Sequence, residues 1–476
     1  MLSLQRSSGH GGRNSASFLY GSIKAFLSGK IMITAMIVLF ALGYLCIASE
    51  HVLHINKATF ALILCGILWA VYALFGHDQN LQSDMVVALG DTCEIVVFLI
   101  GAMTIVELID RYGGFNIIVR LIKAKNKRSL MWILAAFAFF LSAILDNMTT
   151  TIIMVMLLRR MLSDQKERWL FASVIVLAAN AGGVWSPIGD ITTIMLWMKN
   201  YVSSADLIEH LILPSIAAVA VPTWIASLTV RRQPLEELNE SDHRVGYVLS
   251  EHHRGLSVAI LIGGVAALLF VPVFKSLTHL PPYMGILLSL GGLWLATELI
   301  VRHYELDGKI DGRISQVMSR IDMSTILFFL GILMAVAALS QAGILGELAA
   351  WLNETVHQVY AINIIIGILS SIIDNVPLVA ACMDMYPVAT EATIAAAADP
   401  AYAALFVEGG LFWRLLTFSA GVGGSMLIIG SAAGVVAMGI EKIPFMWYLK
   451  RISCLAFVGY IAGLAVIALS GLLQTL

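Results

Sequence analysis

Residues 142–155 read SAILDNMTTTIIMV, and residues 370–383 read SSIIDNVPLVAACM. Each sets an Asp-Asn pair, Asp146-Asn147 and Asp374-Asn375, inside a run apolar enough to sit in hydrocarbon. Ionisable groups are costly to place there and mark function by default. The rest of the chain fixes the solvent: of 476 residues, 59% are hydrophobic and 13% charged, with a mean hydropathy of +0.87, far from the balance of a soluble domain. This composition defines an all-α polytopic membrane protein whose first partner is the lipid bilayer. The formal net charge of -2 gives no sign of a nucleic-acid partner. Five cysteines, Cys46, Cys65, Cys93, Cys382 and Cys454, lack CxxC or His/Cys spacing and read as small hydrophobes, not as disulfides or metal ligands.

A spanning helix needs about 20 mostly apolar residues. Ten segments qualify, near 31–48, 58–75, 94–110, 169–198, 211–230, 256–274, 283–300, 323–341, 411–440 and 452–473. The two stretches that carry the Asp-Asn pairs, 130–158 and 356–390, are open to two readings, a kinked helix or a re-entrant hairpin. Cytoplasmic loops are enriched in Lys and Arg, and this decides between them. Segment 130–158 is flanked by basic residues on both sides, from Arg111 to Arg128 and from Arg159 to Arg168. Between Gln341 and Gly410 there is no Lys or Arg. Both segments should therefore turn back, from opposite faces.

The halves also overlay. Phe98, Gly101 and Gly113 match Phe328, Gly331 and Gly343 at an offset of 230, and the Asp-Asn segments match at 228. AANAGGVWSPIGDITT (178–193) matches SAGVGGSMLIIGSAAG (419–434) at 241. An offset that drifts slowly through three consecutive blocks indicates duplication. Each unit reads as three helices, a re-entrant hairpin, an interrupted helix and a further helix. That makes five crossings, and an odd number inverts the second copy, giving two inverted repeats. The organisation is an N-terminal tail 1–30, a first transmembrane repeat 31–230 with hairpin 130–158 and interrupted helix 169–198, a cytoplasmic linker 231–255, and a second repeat 256–476 with hairpin 356–390 and interrupted helix 411–440. With loop 111–129 cytoplasmic, 22 of the 29 Lys and Arg fall on that side and six on the other, Arg414 lying within a span. Four of those six are in the tail, which this parity places outside. The linker, with His243, His252 and His253, reads as a solvated connection.

Inverted repeats commonly hold their substrate where interrupted helices meet. Gly182, Gly183, Pro187 and Gly189 interrupt one helix, and Gly421, Gly423, Gly424 and Gly430 the other. Small residues alone would serve close packing, but polar groups accompany these: Asn180, Ser186, Asp190, Thr192 and Thr193 in one copy, Ser419, Ser425 and Ser431 in the other. The central acids are Asp146, Asp190 and Asp374, with no Lys, Arg or His in the matching tips or breaks. Carboxylates, amide oxygens and hydroxyls suit a hard cation. Clustered carboxylates in a poorly solvated place hold protons readily, so protons and a small cation would compete for one site. Asp146 and Asp190 should form its principal part, with Asn147, Asn180, Thr192 and Thr193 supplying neutral oxygens. Asp374, Asn375, Ser425 and Ser431 should complete it from the opposite side. Glu107, Asp110, Glu298 and Arg111 sit near span ends and read as solvated. Arg414 calls for an acid that the sequence does not identify.

At these residues the chain resembles the NhaD-type sodium/proton antiporters, within the wider ion transporter superfamily that includes arsenite-pump-like and divalent-anion transporters. The resemblance rests on SAILDNMTTTIIMV, AANAGGVWSPIGDITTIM, SSIIDNVPLVAA and AGVGGSMLIIGSAAGVVAMG and covers almost all of the chain after the tail. It implies exchange of cytoplasmic Na+ or Li+ for external H+ across a bacterial-type inner membrane by alternating access, with no cofactor and with a homodimeric assembly. Carried onto matching positions, the important polar residues are Asp146, Asn147, Asn180, Asp190, Thr192, Thr193, Ser370, Asp374, Asn375, Ser425 and Ser431. Na+ then falls to Asp146, Asp190, Asn147 and Asn375.

Two other classes compete with this reading. A sodium- or proton-coupled anion or arsenite transporter would place basic or thiol groups at the site, and the sequence has none there. An intramembrane aspartyl protease also uses paired acids, but PIGD at 187–190 lacks the first glycine of a GxGD motif and has no Tyr-Asp partner segment.

Overall fold

The computed structural model describes residues 30–47, 49, 53, 55–76, 80–115, 124, 126–230, 254–303, 317–372 and 374–474. Residues 1–29 of the tail, and residues 231–253 of the linker with His243, His252 and His253, lie outside the described residues. Among the described residues every element is helical, as a chain in lipid requires, since a helix satisfies its own backbone hydrogen bonds.

The first half runs α1 (Lys30–Ile47), α2 (Lys57–Phe75) and α3 (Leu81–Arg111). Next come α4 (Lys127–Leu145) and α5 (Asn147–Met161), parted at Asp146, then α6 (Gln165–Val184) and α7 (Ile191–Met198), parted over 185–190, and finally α8 (Ser204–Thr229). The second half runs α9 (Arg254–Thr278), α10 (Pro282–His303), α11 (Met323–Gln341) and the short α12 (Ile344–Thr355). It continues with α13 (Val359–Ser370) and α14 (Asn375–Met385), the short α15 (Glu391–Ala396) and α16 (Pro400–Ala403), and α17 (Leu411–Gly423) and α18 (Ala432–Glu441), parted over 424–431. It closes with α19 (Phe445–Arg451) and α20 (Ser453–Gln474). Nine of the described helices are long and apolar enough to cross a membrane, and a tenth crossing results if the bent pair of residues 400–406 and α17 counts as one.

Local chemistry sets these boundaries. Asn126 caps α4 by accepting from Ser129 N, Asp164 caps α6 through Lys166 N and Glu167 N, and Asp322 caps α11 through Ser324 N and Thr325 N. Helix α3, with 31 residues, begins well before the apolar segment 94–110. Its first turns carry Gln82, Asp84 and Asp91, which hydropathy rejects but a helix backbone accepts. At a rise of 1.5 Å per residue it spans about 46 Å, longer than the hydrocarbon core.

Two pairs of helices meet unusually closely. A β-carbon on Gly182 of α6 would collide with the Phe139 carbonyl of α4, and one on Gly423 of α17 with the Gly367 carbonyl of α13. The hydroxyl of Ser142 donates to the Ala179 carbonyl at 2.6 Å, and that of Ser370 to the Ala420 carbonyl at 2.6 Å. Donors 142 and 370 are 228 apart and acceptors 179 and 420 are 241 apart, the same offsets that align the sequence.

Four ion pairs were not legible in the chain. The acid that answers Arg414 is Asp206, with Nη2 to Oδ1 at 3.1 Å. Lys57, one of the 22 Lys and Arg that the parity puts on the cytoplasmic side, in the loop 49–57, reaches Asp374 at 3.3 Å. Glu441, with its side chain only 1% exposed, takes Arg168 at 2.9 Å and Arg159 at 3.5 Å, while its carbonyl accepts from Gln165 Nε2 and Trp169 Nε1. It therefore ties the end of α18 to the start of α6. Replacing Glu441 with Ala strands Arg168 in a shielded place and should cost about 3 kcal/mol. A lowered thermal midpoint of the detergent-solubilised protein would register this, and Glu441→Gln, which keeps the shape and one acceptor, should lose less.

Candidate functional site

The site forms where the breaks converge. Asp146 ends α4 and caps α5 with φ at +105°, a conformation that L residues rarely adopt. Its Oδ1 accepts Thr149 N at 2.7 Å and its Oδ2 accepts Thr149 Oγ1 at 2.8 Å. Backbone strain of this kind persists where the surroundings over-determine it, typically at sites of function. Here it lets one helix stop and the next begin with the carboxylate at the joint.

Asp190 does the same for α7. Its Oδ1 accepts Thr192 N and Thr192 Oγ1, each at 2.9 Å, and Thr193 closes a capping box by accepting from Asp190 N and donating to Asp190 O. Its Oδ2 accepts Asn147 Nδ2 at 2.7 Å. That amide also reaches Asn180 Oδ1 at 3.2 Å, and Asn180 Nδ2 donates to Ser425 Oγ and to Ser431 Oγ, each at 2.8 Å. Ser431 in turn caps α18 by accepting from Gly434 N. One continuous network thus runs from Asp190 in the first half to two serines of the second, through two amides.

Every member is shielded: Asn147, Asn180, Asp190, Thr192, Thr193, Ser425 and Ser431 are all buried. Asp190 is 1% exposed, and among the described residues no Lys or Arg pairs with it or with Asp146. Asp146 directly precedes the Asn147 that holds Asp190, and α14, which Asp374 caps, packs against α7, which Asp190 caps. A buried carboxylate with hydrogen bonds but no counter-ion is short of charge compensation, which in water would come from solvent.

The remaining residues singled out in the sequence sit nearby in different company. Asp374 caps α14 through Val376 N, pairs with Lys57, and gives its own N–H to the Tyr44 hydroxyl. Asn375 is buried at the start of α14. Ser370 commits its hydroxyl to the Ala420 carbonyl and so pins α13 to α17. Lys57 and Tyr44 carry no spacing or motif that could have announced them: one starts an apolar span and the other lies inside one.

A cavity of about 400 Å³ leads to this region. Asp146, Asn147 and Thr149 line one part of it, and Glu107, Asp110, Arg320 and Asp322 another. A second cavity of about 340 Å³ is lined by Asp91, Thr92, Lys199, Tyr201, Ser340 and Asp384. There Lys199 holds Asp91 at 2.5 Å and Glu94 at 3.1 Å. Helix α7 contributes to both, with Ile191 and Ile194 lining the first and Met195 the second.

Broken helices surround a buried acid, and one short helix lines two cavities, an arrangement that suits a secondary transporter of the membrane. Comparison with known proteins agrees. The chain matches the citrate transporter family over residues 25–407. It is 43% identical over 433 residues to sodium/proton antiporter 1 of Arabidopsis thaliana, covering 90% of this chain and 71% of that one. It is 42% identical to sodium/proton antiporter 2 of the same plant, over 90% and 97% of the two chains. The Na(+)/H(+) antiporter NhaD of Vibrio cholerae is 30% identical over 87% of each. The chain belongs to the citrate transporter family and, within it, to the NhaD-type sodium/proton antiporters.

Asn180 is the joint of the network. Truncation to Ala removes two donors and an acceptor, leaving Ser425, Ser431 and Asn147 short of partners in a dry place. A loss of about 1–3 kcal/mol should follow, read as a lowered thermal midpoint in detergent, whereas Asn180→Asp should retain much of the packing.

Proposed function

We propose that this protein exchanges cytoplasmic Na+ or Li+ for external H+ by letting cation and proton compete for Asp190 and Asp146. The observation that carries the reading is the isolation of Asp190: buried, held by Asn147 and Thr192, and without a cationic partner among the described residues. Such a carboxylate needs either a proton or a cation to neutralise it. A site that must hold one of two monovalent ions, and cannot comfortably hold neither, couples their movements.

The rest of the proposal follows from that coupling. Na+ would bind through Asp146, Asp190, Asn147 and Asn375, with Asn180, Thr192, Thr193, Ser425 and Ser431 fixing their orientation and Asp374 and Ser370 supporting the second half. The hard oxygen donor set suits an alkali cation. The cavity that reaches Asp146 is lined by residues next to the loops assigned to the cytoplasm, which supports cation entry from that side. The cavity at Lys199 and Asp384 supports an exit on the other. Matching hydrogen bonds at Ser142 and Ser370 support two inverted repeats, 31–230 and 256–476, as the two-state machinery. A transported ion can shift that equilibrium only as far as it binds the two states differently. We place the protein as a homodimer in an energised membrane of the bacterial inner-membrane type.

The citrate of the family description invites a second reading, an anion carrier. It fares worse because the buried centre presents a carboxylate, and an anion would instead seek helix N-termini or basic groups free of competing acids.

Respiring everted vesicles carrying the protein, loaded with a pH-sensitive dye, test the exchange directly. Adding NaCl or LiCl should collapse the proton gradient in the wild type. Asp146→Asn and Asp190→Asn, at equal membrane abundance, should each weaken the response at least about tenfold, one 1.4 kcal/mol step in ion binding. No cation response in the wild type at any pH would sink the antiport reading.

A further inference from the structure

The two Asp-Asn tips are alike in sequence and unlike in company. Asp146 is held by Thr149 and opens on the cavity. Asp374, 228 residues later, has the ammonium of Lys57 at 3.3 Å. That ammonium also stands 4.2 Å from the centre of the Phe328 ring, a favourable seat for a cation. The Lys57 and Asp374 side chains are 23% and 17% exposed, so the pair is shielded without being sealed. Lys57 lines the same cavity as Asp146. The other charged groups lining it are Glu107, Asp110, Arg320 and Asp322, and the Tyr44 hydroxyl accepts the backbone N–H of Asp374.

We propose that Lys57 is a tethered competitor for the transported cation: it occupies Asp374 while the site is empty and gives it up when Na+ or Li+ binds. The argument is chemical. An ammonium and an alkali ion are both monovalent and both seek carboxylate oxygens, so a cation entering the cavity that Lys57 lines can displace the ammonium from Asp374 before it settles on Asp146 and Asp190. Asp374 caps α14 and Asp190 caps α7, two helices that pack against each other, so neutralising Asp374 from within lowers the negative potential that draws a cation to Asp190. Lys57 thereby weakens cation binding on purpose and speeds release. A lysine suits this better than an arginine, because its ammonium is a point charge on a flexible stem, whereas a guanidinium locks onto a carboxylate in a two-pronged grip. The proposal rests on the antiport reading above.

The test compares wild type, Lys57→Gln and Lys57→Arg in two assays: Na+ binding to purified protein by calorimetry, and Na+-dependent proton release from proteoliposomes as KM and kcat. Removing the competitor should tighten Na+ binding and lower KM by roughly three- to tenfold, the scale of one partly shielded charge contact, while kcat falls because release slows. Lys57→Arg should do the reverse to KM. A merely structural Lys57 would lower protein yield or kcat in both variants with KM and binding unchanged, and that result overturns the proposal. If Lys57→Gln does not fold, Lys57→Arg decides alone: weaker Na+ binding supports the idea and unaltered binding overturns it. A wild type that neither binds Na+ nor exchanges it defeats the antiport reading and this proposal together, whereas an active wild type with indifferent variants defeats the proposal only.

Discussion

A carboxylate taken out of water must be answered by something positive, and the centre of this protein is arranged around one, Asp190, that no Lys or Arg among the described residues answers. Asp190 receives three hydrogen bonds, from Asn147 and twice from Thr192, but no ion pair among the described residues. Hydrogen bonds orient a charge and soften its burial, yet the cost of removing solvation from an ion runs to several kcal/mol after relaxation. One proton or one small cation would balance that charge, and the exchange proposed above rests on this. Elsewhere the chain closes its accounts locally: Glu441 has Arg168, Asp206 has Arg414, and Asp91 has Lys199. Asp146 shares this lack of a basic partner among the described residues and is held instead by Thr149.

Interrupting a helix is what makes such an arrangement possible. An unbroken helix consumes its own backbone groups and offers a ligand only side chains. A break frees N–H groups at the start of the next segment, and here Asp146, Asp190, Asp374 and Ser431 each cap one. The same side chain therefore shapes the backbone and presents an oxygen at the centre. Close approach, possible because Gly182 and Gly423 carry no β-carbon, seats α6 against α4 and α17 against α13 beside the breaks. Packing of small residues and placement of acids are thus one design and not two.

Much of this could be read from the chain because each feature leaves a local mark. Hydropathy exposes the spans, glycine and proline expose the breaks, and an acid in an apolar run is conspicuous. Asn147, Asn180, Asp190, Thr192, Thr193, Ser425 and Ser431 all fall into one hydrogen-bonded network. What escaped depends on long-range pairing. Lys57 looked like a loop charge because its sequence neighbours are loop residues, and nothing in spacing ties it to a residue 317 positions away. Glu441 and Asp206 were silent for the same reason. The early turns of α3 escaped because hydropathy measures affinity for lipid, while helix formation depends on the backbone.

The asymmetry between the halves has a steric cause as well as an electrostatic one. Asn180 occupies the position that corresponds, at an offset of 241, to Gly421. A β-carbon on Gly421 would run into the Val184 side chain, so the second half has no room for an amide of its own. The single amide of Asn180 crosses the centre and serves Ser425 and Ser431, the latter standing where the first half has Asp190. Had the second half kept an acid there, two carboxylates would share one dry volume with Asp146 and Asp374 nearby, and like charges at such range strongly disfavour joint ionisation. As it stands the network holds one acid, Asp190, with two amides, Asn147 and Asn180, leading to the hydroxyls of Ser425 and Ser431. If the two halves are the inverted repeats proposed above, the difference at these two positions limits the charge that the centre must hold.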